Sequence, residues 1–410
     1  MKNWLLLMFS LLGMLSLGQN ADAVWQRSGT IVVDTLTDTL DGSSCTLRAA
    51  ISAANTNTAV QGCPPGSFGH DTITFGVVGV ILLTQPGADD YNLAGDLDIW
   101  EPLTIVGNGI DRTVVDAGGI DRVFDVHPTN FPAEQSVILH NLTIQGGQTA
   151  GFGGGIRHNS GSLTLQEVVL TNNVAETGGG LASLATAVIY NSTIRDNQAD
   201  YGAGIAQLMP DKELDIIAST INNNLAGIEG GGLLIEDGKA FMLNSTLTLN
   251  NASFGSGLMN KGDLTAVHLT IAANGLENNS GYGLQNEPGA VALFLHTLFS
   301  ANLPANCAGD WAQATAPVPN LASDDSCPQF SLSSTQPLLG PLQDNGGPTL
   351  SYMLEAGSPA IAAGDPSLCA EVATDQRGYN RWHIATSHCD LGAVERDGVL
   401  LIYLPIVAKP

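Results

Sequence analysis

Between residues 137 and 302 one short pattern returns six times: an apolar residue, any two residues, then Asn. It couples Leu170 to Asn173, Ile194 to Asn197, Ile221 to Asn224, Leu247 to Asn250, Ile271 to Asn274 and Phe299 to Asn302. Successive asparagines lie 24, 27, 26, 24 and 28 positions apart. A second pattern, Gly-x-Gly followed by Ile or Leu, keeps phase with the first and starts at Gly153, Gly178, Gly202, Gly230, Gly255 and Gly281. Two patterns locked over so many periods define a repeat architecture. A period of about 25 residues is too short for a propeller blade or a helical hairpin, and no leucine-rich consensus is visible.

The residues ahead of each Asn alternate and are β-branched, as in Asn141-Leu-Thr-Ile144, Asn191-Ser-Thr-Ile194 and His268-Leu-Thr-Ile271. That pattern predicts strands. Successive strand side chains point to opposite faces. One column (Ile144, Leu170, Ile194, Ile221, Leu247, Ile271, Phe299) should therefore fill a core. The column before it (Thr143, Val169, Thr193, Thr220, Thr246, Thr270, Leu298) should face out. The expected fold is all-β: a single-stranded right-handed parallel β-helix, a pectin-lyase-like solenoid whose coils stack at about 4.8 Å. The ladder Asn173, Asn197, Asn224, Asn250, Asn274 and Asn302 should bond the backbone groups that lose strand partners where each coil turns. Glycines suit positive-φ or close-approach positions at those turns.

The paired patterns resemble the GGA[ILV] and FxxN repeats of the polymorphic outer-membrane protein family, surface proteins that include adhesins. The resemblance implies the fold and a surface-associated binding protein. The residues that follow the repeats are too few for the export barrel of that family, so insertion in an outer membrane is not expected.

Residues 1–23 read as a secretory signal: Lys2, an apolar stretch over 4–17, and Ala21-Asp-Ala23 as a cleavage site. The net charge of −25, from 14 Lys plus Arg against 39 Asp plus Glu, excludes nucleic acid and anionic membrane surfaces as partners. Six cysteines fall in three sequence-local couples. In an exported chain the simplest connectivity is Cys45–Cys63, Cys307–Cys327 and Cys369–Cys389. A metal site lacks Cys-x-x-Cys spacing.

Residues 24–125 form an N-terminal cap and the first irregular coils, with strands expected over 29–35, 71–75, 79–84, 103–106 and 123–126. Cys45-Thr-Leu-Arg-Ala-Ala-Ile-Ser-Ala-Ala-Asn55 has helical spacing. It resembles the CSLREA domain, with Thr46 in place of Ser and Ala49 in place of Glu. A helix there would cover the open end of the solenoid, with Arg48 ion-paired or bonded to backbone. The acids Asp89, Asp90, Asp96 and Asp98 read as solvated loops, with Ca²⁺ the one ion such oxygens suit, although no 12-residue ligand loop is present. No cofactor is otherwise implied.

Residues 126–302 are the regular repeats and 303–336 a last coil or connector. Residues 337–396 carry Asp344-Asn-Gly-Gly-Pro-Thr-Leu350, Gly357-Ser-Pro-Ala-Ile361, Gly364-Asp-Pro366, Asp375-Gln-Arg-Gly378 and Cys389-Asp-Leu-Gly-Ala393. They resemble the choice-of-anchor Q segment that closes many exported β-helix proteins, with Ala362 where Asp is usual. This implies a disulfide-stapled C-terminal cap holding Arg377, Asp375 and Asp390 in a buried network. The apolar tail, 397–410, is too short to span a bilayer. It is either a final strand or an anchoring tag.

His268 and His296 should stack one coil apart as surface residues. The recurring Asn141-Leu-Thr, Asn191-Ser-Thr and Asn244-Ser-Thr triplets follow from the repeat rather than from glycosylation. The bases that a polysaccharide lyase would use (Arg157, Arg195, Lys212, Lys239, Lys261) are scattered over different columns. The acids that a hydrolase would use (Asp196, Glu229, Glu236, Asp237) show no pair repeated on adjacent coils. No Gly-x-Ser-x-Gly, His-Glu-x-x-His or phosphate loop occurs, and no catalytic or metal residue is assigned. The sequence therefore reads as an exported, cell-surface protein that binds glycans or cell envelope without catalysis. The competing reading is a glycan lyase or hydrolase working along one groove. Ice binding by the Thr ladder is disfavoured by the Val169 and Leu298 interruptions.

Overall fold

The computed structural model describes residues 29–39, 42–130, 135–276, 280–381 and 388–398. The signal segment and most of the apolar tail lie outside the described residues.

Each coil of the repeat folds the same way. A five-residue strand such as Thr186–Tyr190 leads into a corner residue and then a three-residue strand such as Thr193–Arg195. After the ladder Asn and a loop, the Gly-x-Gly segment enters a second short strand such as Ile205–Gln207. Stacked coils pair these strands in parallel into sheets of 11, 10 and 9 strands. We refer to them by those numbers. The register runs residue to residue, for instance Ile194 with Ile221 and Leu247 with Ile271. The fold is thus the expected parallel β-helix, and the Ile144-to-Phe299 column is buried at its centre.

The corners explain the recurrent polar residues. At the first corner, Asn141, Glu167, Asn191, Ala218, Asn244, His268 and His296 all adopt φ of 50–61°, a region that Asn tolerates better than most residues. The amide immediately ahead of each short strand then bonds a hydroxyl one coil on. Val168, Ser192 and Ser219 N–H donate to Ser192, Ser219 and Ser245 Oγ, each at 3.1 Å. This serine ladder explains the Asn-Ser-Thr triplets.

At the second corner a central ladder Asn such as Asn224 accepts two bonds on Oδ1 and donates two through Nδ2. Asn197 N and Nδ2 donate to Asn224 Oδ1 at 3.1 and 3.0 Å. Asn224 Nδ2 donates to Ile194 O at 3.0 Å and Asn250 Oδ1 at 2.9 Å. The same scheme links Asn173 to Asn197, Asn250 to Asn274 and Asn274 to Asn302, and continues to Asn306. The Gly-x-Gly pattern is in phase because it packs on this ladder. A Cβ on Gly232 would meet Gly257 O at 2.6 Å and Asn250 Nδ2 at 2.9 Å. The first glycine of that motif, Gly230, supplies a φ of 66°.

Helix Leu47–Thr56 covers the N-terminal end. Thr46 caps it by accepting from Ala49 N. Arg48, fully buried, is ion-paired with Asp38 at 2.8 Å and donates to Asp96 O and Gly95 O. Phe294, Phe299, Trp311 and Phe330 stack at the other end. All three cysteine couples are disulfides between the expected partners.

The outward Thr column departs from expectation. Thr220, Thr246, Thr270 and Leu298 do point away from the core but are buried. Residues 345–381 and 388–395 fold back along the flank of the last coils and cover them. Gln376 Nε2 donates to Thr220 Oγ1, Thr246 Oγ1 donates to Gln376 Oε1, and Ala393 N donates to Thr270 Oγ1. Thr248 Oγ1 lies 2.8 Å from the Tyr352 hydroxyl. No coil-to-coil periodicity announces such a lateral contact.

Candidate functional site

The two expected surface histidines are buried for the same reason. His268 Nε2 lies 3.2 Å from His296 Nδ1, and Asp365 N donates to His296 Nε2 at 2.6 Å. An acceptor at Nε2 places the proton of neutral His296 on Nδ1, facing His268. Burial and the nearby Arg381 charge push His296 down to about 4 against the pull of Asp365, and hold His268 well below the ordinary range. Arg381 donates to Asn244 Oδ1 at 2.8 Å and faces Glu395 at 3.5 Å. Of the expected network, Arg377 is paired with Asp375 at 2.8 Å, whereas Asp390 accepts from Ala362 N and Arg396 N. A cavity of about 370 Å³ lies between this segment and the 11-stranded sheet, among Phe241, Leu243, Val267, Leu295, Leu368 and Val372. These groups bind the flank in place.

The chemistry-bearing surface is the outer face of the 9-stranded sheet. Here two acids outside the set Asp196, Glu229, Glu236 and Asp237 share a column on adjacent coils. Asp98 of strand Leu97–Ile99 is in register with Asp125 of strand Phe124–Val126, and Asp125 with Arg157 of strand Ile156–His158. The early coils lack the Asn and Gly-x-Gly phase marks, so this alignment is invisible in the sequence. Asp125, Asp121 and Arg122 were missed with it; the only trace was the local Asp121-Arg-Val-Phe-Asp125 run.

The acids expected to be solvated loops are instead largely enclosed. Asp98, Asp96 and Asp125 are buried, and Asp90 is half-buried above them. Asp89 stands apart and shapes the loop by accepting from Tyr91 N and Leu93 N. Arg122 pairs with Asp96 at 2.6 Å, and Arg157 clasps Asp125 through Nε and Nη2. Burial, reinforced for Asp98 by the Asp96 charge, raises the pKa of Asp96, Asp98 and Asp125 despite these arginines.

Farther along the same sheet, the loop before it forms a column of its own. Phe152, Thr177, Tyr201, Glu229, Phe254 and Gly281 are bridged coil to coil. Phe152 and Phe254 are 46% and 48% exposed, with half-buried Tyr201 between them. Aromatic rings thus recur every second coil, about 10 Å apart at strand spacing. Glu229 meets Lys261 at 2.6 Å, and Lys261 meets Glu236 at 2.8 Å. The sequence named these three, but not that the solenoid brings them together. Burial works against the Lys261 charge, yet the two glutamates outweigh it and raise its pKa. Arg195 is paired with its neighbour Asp196 on a different sheet.

No family model matches the chain, and no curated protein matches it. Among solved structures, the crystal structure of pectate lyase Pel9A is similar, with a TM-score of 0.50 and 16% sequence identity over 91% of this chain and 98% of that one. At that identity the likeness shows the fold. No helix among the described residues is long and apolar enough to cross a membrane.

Proposed function

We propose that the protein is exported, is held at the cell surface, and binds glycans of an envelope or matrix without cleaving them. The observation that carries this reading is the exposed column Phe152, Tyr201 and Phe254 beside the Glu229–Lys261–Glu236 cluster. Aromatic faces carry negative charge density and suit the C–H faces of sugars, while the carboxylates and the amine suit hydroxyl groups. The signal-like start, the three disulfides and the CSLREA-like and choice-of-anchor Q-like segments support export and surface attachment.

Catalysis is the weaker reading. A lyase base must be able to lose its proton. Lys261 is held charged by two glutamates, and Arg157 is clasped by Asp125. The acidic pair in register between described strands of adjacent coils, Asp98 and Asp125, is closed off from solvent. A lyase or hydrolase remains the alternative because the Pel9A fold accommodates such chemistry.

A glycan array followed by titration calorimetry tests the proposal, with ultraviolet and reducing-sugar assays on the bound glycans. Binding without turnover, reduced at least about tenfold in Phe152→Ala/Phe254→Ala, is expected from the 1.4 kcal/mol scale of one lost stacking contact. Turnover that a single Lys261→Ala change abolishes would overturn it.

A further inference from the structure

We infer that Asp90, Asp98 and Asp125 form a calcium site that ties the N-terminal coils to the loop above them. One carboxylate oxygen from each residue lies within 4.8 Å of the other two. Two oxygens bound to one Ca²⁺ at about 2.4 Å cannot be more than about 4.8 Å apart, so the spacing admits that ion. Mg²⁺ requires shorter bonds and a stricter octahedron, and the all-oxygen donor set does not suit Zn²⁺ or copper.

Acidic clusters are common, and a second observation distinguishes this one. Asp98 is fully buried, and its Oδ1 has no hydrogen-bond partner among the described residues. Its Oδ2 accepts from Asn92 N at 2.7 Å, which fixes the carboxyl orientation. An unpartnered buried carboxylate oxygen costs free energy unless a cation or proton meets it.

The other two ligands are oriented in the same way. Asp125 Oδ1 accepts from Asn159 Nδ2 at 2.7 Å, and Asp90 Oδ2 accepts from Asn130 Nδ2 at 2.5 Å. Such outer partners hold ligating carboxylates in place. The local charge also calls for a cation. Among the described residues, the carboxylates of Asp90, Asp96, Asp121 and Asp125 are ion-paired with Arg122 and Arg157 alone, and Asp98 has no ion pair. Arg157 pairs with Asp125 and lies 3.9 Å from Asp90 Oδ1, and Asp98 Oδ1 stays open to the ion. Half-buried Asp90 leaves a path for entry and for the waters that complete the shell.

The ion would act mechanically. Asn92 Nδ2 donates to Arg48 O and Ser52 Oγ of the cap helix, both at 2.8 Å. Binding would therefore join the helix, the 86–95 loop and the first two strands of the 9-stranded sheet.

The test uses chelator-treated full-length protein and Tb³⁺, excited through Tyr91 and Trp100, with Ca²⁺ and Mg²⁺ as competitors and melting temperature as the second readout. One Tb³⁺ equivalent, displaced by Ca²⁺ but not by equal Mg²⁺, and a Ca²⁺-dependent rise in melting temperature are expected. Asp98→Asn and the more exposed Asp90→Asn should each weaken Tb³⁺ on the order of tenfold or more by lowering the ligand charge. No sensitised emission and no Ca²⁺-dependent melting shift in the unaltered protein would overturn the inference. So would unchanged Tb³⁺ affinity in Asp90→Asn, even if Asp98→Asn fails to fold.

Discussion

Replacing Asn224 with Ala removes four hydrogen bonds from the middle of the ladder. Two are accepted at Oδ1 from Asn197, and two are donated by Nδ2 to Ile194 O and Asn250 Oδ1. Asn197 Nδ2 keeps its bond to Leu170 O, and Asn250 Oδ1 keeps its bond from Asn224 N. The Asn197 amide loses the partner shown for it, and Ile194 O loses its side-chain partner, in a site with no solvent exposure. At about 1–3 kcal/mol for each of the two buried groups that lose a partner, the expected loss is about 2–6 kcal/mol. The ladder and strands tie each coil to the next, so the effect should spread along the stack rather than stay local. Urea unfolding followed by far-ultraviolet circular dichroism measures the loss, and hydrogen exchange measures its reach. The exposed Thr186→Ala on the 11-stranded sheet serves as the control. A change below about 0.5 kcal/mol, the range of ordinary surface substitutions, would refute the reasoning, as would exchange confined to residue 224 and its sequence neighbours.

Other outcomes follow from the flank and the corners. His296 has a folded pKa of about 4 against 6.5 unfolded, so the unfolded chain takes up the proton first as pH falls. Its contribution is complete above 6.5 and lost on the way down to 4, with about 2 kcal/mol already lost near pH 5. Thermal melts of the protein and of His296→Gln should differ in slope across that window, and parallel curves would count against it. Arg381→Ala removes the buried guanidinium that faces Glu395 and donates to Asn244 Oδ1 and Gly392 O, and should cost about 3–5 kcal/mol, read as earlier proteolysis within residues 337–398. Gly232→Ala places a Cβ 2.6 Å from Gly257 O and should destabilise by at least about 1–3 kcal/mol through overpacking, measured by the same urea titration.

The repeating part of the fold was legible because each coil solves the same problem with the same residues. Asn at a corner, Ile or Leu inward and Gly beneath the ladder recur at one period, and register follows from that period. The 9-stranded sheet face was not legible. Asp98 and Asp125 lie in coils without those marks, so nothing in the sequence aligns them. Phe152, Tyr201 and Phe254 share a column with Thr177 and Glu229, and mixed chemistry in a column hides it from pattern reading. His268 and His296 were placed correctly relative to each other but assigned to solvent. What buries them is a segment 69 residues beyond His296, at Asp365, and contacts of that range have no local signal.

The flank contact also limits how this chain can change its length. Gln376 reaches Thr220 and Thr246, Arg381 reaches Asn244, and Asp365 reaches His296, so each clasp belongs to one numbered storey. Inserting or deleting a storey between Thr220 and His296 would slide every fastening by about 4.8 Å and leave the histidines and Arg381 facing the wrong floor. Duplication is freer between Thr143 and Arg195, where among the described residues no hydrogen bond or ion pair from the far end of the chain is fastened. Growth and shortening of such proteins by whole storeys should therefore be concentrated in that earlier stretch.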